Sequence, residues 1–63
     1  MRRKNFMVRL TFRETIGELQ IDHSDRHART PEEAIQRAAS ALRSKKPRAR
    51  IYGTAAYPYV VLR

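Results

Sequence analysis

NFMVRLTFR, residues 5 to 13, decides how this chain is read. Phe6, Val8, Leu10 and Phe12 alternate with Met7, Arg9, Thr11 and Arg13. Successive side chains of a strand point to opposite faces, so this strict period of two predicts a half-buried β-strand. One face is wholly apolar and belongs on a core. The other carries two arginines and belongs in solvent.

Working outward, Gly17 can supply the positive φ of a turn after residue 13. GELQIDH, residues 17 to 23, then alternates again, with Leu19 and Ile21 on one side and Glu18, Gln20 and Asp22 on the other. The two strands read as a β-hairpin. SDRHAR, residues 24 to 29, reads as a polar loop. Thr30 is a good helix N-cap, Pro31 suits the first helical position, and Glu33 completes a capping box. Ile35, Ala38, Ala39 and Leu42 recur at helical spacing as a narrow apolar stripe. Pro47 disfavours helical geometry at Lys46, which predicts the helix to stop there.

RARIYGTAA, residues 48 to 56, reads as a third strand with Arg48, Arg50, Tyr52 and Thr54 on one face and Ala49, Ile51 and Gly53 on the other. YPYVVLR, residues 57 to 63, reads as a fourth. Ala55-Ala56 lacks the usual turn residues, so a bulged continuous strand is the alternative. The predicted fold is α+β: a single small domain over residues 1 to 63 with a short basic arm at 1 to 4. Its order is β-β-α-β, with a fourth strand optional, and one helix packs on one face of a mostly antiparallel sheet. The core candidates are Phe6, Val8, Leu10, Phe12, Leu19, Ile21, Ile35, Ala38, Ala39, Leu42, Ile51, Val60 and Leu62.

The net charge is +8 in 63 residues, and it is segregated. All six acids lie between Glu14 and Glu33, so both ends of the chain are purely basic. Such ends must find polyanion, solvent or the acidic middle. With no cysteine there is no disulfide framework and no thiolate metal site. No apolar run approaches the roughly 20 residues of a membrane span. The basic N-terminus lacks a signal peptide's apolar region. A soluble, cytoplasmic protein with no membrane partner is expected.

The uncovered sheet face suggests a binding platform. Arg9, Arg13, Lys45, Lys46, Arg48 and Arg50 would contact phosphates, and Tyr52 would stack on a base. A non-catalytic nucleic-acid-binding module, for DNA or RNA, is the leading expectation. DHSDRH, residues 22 to 27, is the one cluster of catalytic residue types, but His23 and His27 are not placed on a helix as a metal pair would be. No catalytic residue, metal or cofactor is expected. The alternative is a small protein-docking module, such as a phage-encoded inhibitor of host machinery or an antitoxin-like protein. Its interface would use Tyr57 and Tyr59. A thin core and an exposed C-terminal strand also suggest a homodimer. RTPEEAIQRAASAL, residues 29 to 42, is similar to the capped helix that follows a hairpin in small antitoxin-like domains. Their Pro- and Gly-rich loop with a cysteine is absent here, so the similarity implies no family membership.

Overall fold

The computed structural model describes residues 4 to 60. Strand β1 (Lys4–Arg13) lies between β2 (Gln20–Ala28) and β3 (Arg50–Tyr59) in a three-stranded antiparallel sheet, and helix α1 (Pro31–Lys45) links β2 to β3. This is the α+β arrangement expected from the sequence. Phe6, Val8, Leu10 and Phe12 are all buried, Val8 and Leu10 completely. They meet Ala34, Ala38, Ala39 and Leu42 of α1, with Ile35 and Ile51 packed at the margin. The alanines matter because a methyl group lets the helix backbone approach the sheet closely, so one strand face and one helix stripe suffice to close the core.

The second strand differs from the expected one. β2 begins only at Gln20, and it runs on through SDRHA, residues 24 to 28, which the sequence suggested as loop. Its register against β1 places Asp22 opposite Leu10, Ser24 opposite Val8 and Arg26 opposite Phe6. Cross-strand partners share a face, so the inner side of β2 is polar and half-buried. Leu19 and Ile21 are therefore not core residues: Leu19 lies in the connecting loop and Ile21 faces outward, both more than half exposed. An edge strand tolerates this because its polar side chains can reach past the helix to water. Ala28 is fully buried beneath the start of the helix, a core residue that alternation did not reveal.

The helix starts as its sequence demands. Thr30 Oγ1 accepts a hydrogen bond from Glu33 N–H at 3.1 Å. The Glu33 carboxylate turns to Arg37 instead of closing the box. At the other end Lys46 N–H donates to Leu42 O, and Ala49 N–H donates to Lys46 O. The second bond closes a β-turn over Pro47 and Arg48, with proline at the position its fixed φ suits. That turn delivers Arg48 to the start of β3.

β3 runs unbroken through Ala55 and Ala56, so the continuous-strand alternative is the one adopted. Its irregularity lies elsewhere: Thr11 pairs with Gly53 and Phe12 with Ile51, which leaves Tyr52 as an extra residue. This β-bulge shifts the alternation by one position. Thr54, expected beside Arg50 and Tyr52, instead pairs with Leu10 on the helix side, while Ala55 and Tyr57 pair with Arg9 and Met7 on the open face. Val60 is exposed and outside the core. Leu62, Arg63 and the first three residues of the basic arm lie outside the described residues, and Lys4 already belongs to β1.

Candidate functional site

The open face of the sheet is laid down by the β1 alternation. Arg13, the last residue of β1, pairs directly with Arg50, the first of β3. The bulge brings Tyr52 to the same place, and the Pro47 turn adds Arg48. These residues, with Glu14 and Thr15 of the loop after β1, line a shallow cleft of about 220 Å³. The Arg13 guanidinium carbon lies 5.6 Å from the centre of the Tyr52 ring. That is within cation–π range, an attraction of about 0.5–1 kcal/mol at an exposed site. Its Nη2 also donates to Tyr52 Oη at 3.4 Å, a long bond that adds little.

Charge in the cleft is unbalanced. Like charges directly opposite each other in a ladder destabilise it. The acid within reach is Glu14, and its Oε1 lies 3.2 Å from Lys46 Nζ. Lys46 also sits over the Phe12 ring, 5.2 Å from its centre. It therefore seals the edge of the core and occupies Glu14, leaving the guanidinium groups of Arg13, Arg48 and Arg50 less compensated. A site with this donor set suits an anion that accepts bidentate hydrogen bonds, such as phosphate.

Four of the seven residues expected to bind nucleic acid thus come together: Arg13, Arg48, Arg50 and Tyr52. The others are dispersed. Arg9 is exposed further along the open face, between His23 and Ala55. Lys45 is exposed in the last helical turn, and Lys46 is engaged as described. Of the two tyrosines assigned to a protein interface, Tyr57 is exposed on the open face and Tyr59 is half-buried near its far end. Partial burial raises the Tyr59 phenol above its usual pKa, and the Asp25 carboxylate across β1 adds to the shift. The role of Glu14 was missed from the sequence; its place directly after Arg13, at the strand end, was the available signal.

His23, Asp25 and His27 share the open face of β2, while Asp22 points to the helix side. Among the described residues, no group of three or more metal-ligating side chains is placed to hold an ion. No helix of the described residues is long and apolar enough to cross a membrane. No protein-family model, curated protein or solved structure matches this chain.

Proposed function

We propose that this is a small, non-catalytic nucleic-acid-binding module whose phosphate site is the Arg13–Arg48–Arg50–Tyr52 cleft. The observation that carries the reading is the direct pairing of Arg13 with Arg50. Two directly opposed guanidinium groups repel each other, and an anion between them would relieve that repulsion. A phosphate would bridge the pair, and Tyr52, already oriented by Arg13, offers its ring to a neighbouring base.

Salt-titrated binding tests this. Phosphate contacts release counterions, so log affinity should fall linearly with log salt. Arg50→Ala or Arg48→Ala should reduce the slope by about one unit on every nucleic-acid sequence. Tyr52→Ala should weaken single-strand binding with little change in slope, because stacking releases few ions. Weak binding that vanishes near physiological salt would not support the proposal, since any strongly basic protein shows that. Equal salt slopes for the native protein and both arginine variants would refute it. His23→Ala and His27→Ala should leave binding intact.

A further inference from the structure

The cleft opens onto a trough. Beyond Tyr52, the next open-face pairs are Thr11 with Gly53, Arg9 with Ala55, and Met7 with Tyr57. Glycine and alanine keep the β3 side low, and a Cβ built on Gly53 would meet only the Thr11 side chain at 3.6 Å. At the far end Tyr57 is 54% exposed, and Met7 beside it is 38% exposed. Two tyrosines thus bound a low floor with Arg9 alongside. Tyr52 and Tyr57 lie five residues apart along a strand shortened by the bulge, so their backbone positions are about 15 Å apart. That matches about four base steps at a stacked rise of 3.4 Å, and fewer for an extended strand. Neither β1 nor β3 places an acid on this floor. Asp25 borders the floor from β2, directly opposite Met7, and interacts with Tyr59, while Glu14 lies at the cleft end.

From this geometry we infer that the ligand is single-stranded nucleic acid, running from the Arg13–Arg50 cleft along the β1–β3 floor, with Tyr57 as a second stacking platform. The inference rests on the nucleic-acid reading of the cleft. A duplex is a poor occupant. Its bases are already stacked on one another, and reading its grooves requires a protruding helix or ribbon. Here the helix lies on the opposite face of the sheet. Tyr57 is assigned to base stacking, not to protein docking.

The test is fluorescence anisotropy at physiological salt. The probes are labelled oligothymidylate and oligouridylate of 4, 8 and 12 nucleotides and a 12-base-pair DNA duplex. Single strands should bind at least tenfold tighter than duplex, with the two sugar types distinguishing DNA from RNA as the source. Tyr57→Ala should lose about five- to hundredfold in single-strand affinity at unchanged salt slope, and Tyr57→Phe should restore it. The side chain is exposed, so both variants should melt like the native protein. If duplex binds equally well and Tyr57→Ala is silent while Arg50→Ala still weakens binding, the single-strand inference fails and the cleft proposal stands. If no probe binds, both fail. If Tyr57→Ala instead dissociates a dimer in sedimentation and leaves oligonucleotide affinity alone, this face is a protein interface and the inference is overturned.

Discussion

Thr30 and Glu33 divide the start of α1 between them. The Thr30 hydroxyl satisfies one of the orphan backbone donors of the first turn. Thr30→Ala should therefore cost about 0.5–2 kcal/mol in denaturant unfolding. The Glu33 carboxylate accepts from Arg37 Nη2 at 2.9 Å, and that bond holds its pKa below the usual value. Tyr59 shows the opposite shift, upward from partial burial and then from Asp25. Absorbance titration should find a tyrosine ionising above the ordinary value of about 10, and Asp25→Asn should move it back toward that value. The unfolded chain releases the phenolic proton more readily than the native one. The contribution is therefore complete below about pH 10 and is lost as pH rises through the native pKa. A native titration with no tyrosine ionising above about 10 would contradict the assignment.

The strands show where alternation is a reliable guide and where pairing overrides it. β1 was fully legible, because an apolar face with no interruption has one way to be buried. β2 was not. Its polar sequence has low strand propensity, and its place was decided by the unpaired backbone of β1 beside it. The cleft was legible as to Arg13, Arg50 and Tyr52. The bulge that gathers them was not, because an extra residue in one strand is defined only against its partner. The same pairing carries a prediction of opposed signs. Arg50→Gln should raise the unfolding free energy of the free protein by about a few tenths of a kcal/mol, by relieving repulsion with Arg13. It should also weaken nucleic-acid binding. A variant that loses both stability and binding would mean that Arg50 has a structural role instead.

At the scale of the molecule, the buried core is one strand face and one helix stripe, joined among the described residues by Ala28 of β2. A domain of this size holds on the order of 3–9 kcal/mol of net stability. Leu10→Ala, at a fully buried site, should cost about 2–5 kcal/mol. Thermal circular dichroism should find the melting midpoint of that variant lowered by roughly 10–40 °C; a native melting curve would show that the helix collapses onto the gap. The central position of β1 also has a consequence in time. β2 follows β1 closely and can pair with it as a local hairpin, whereas β3 closes the other edge from far along the chain, Tyr59 returning to Asn5. As the chain emerges from the ribosome, β1 must wait with one backbone edge and part of its apolar face uncovered. Contacts of such high order make closure of that long loop the slow step of folding, and the newborn hairpin is the species most open to proteases and chaperones.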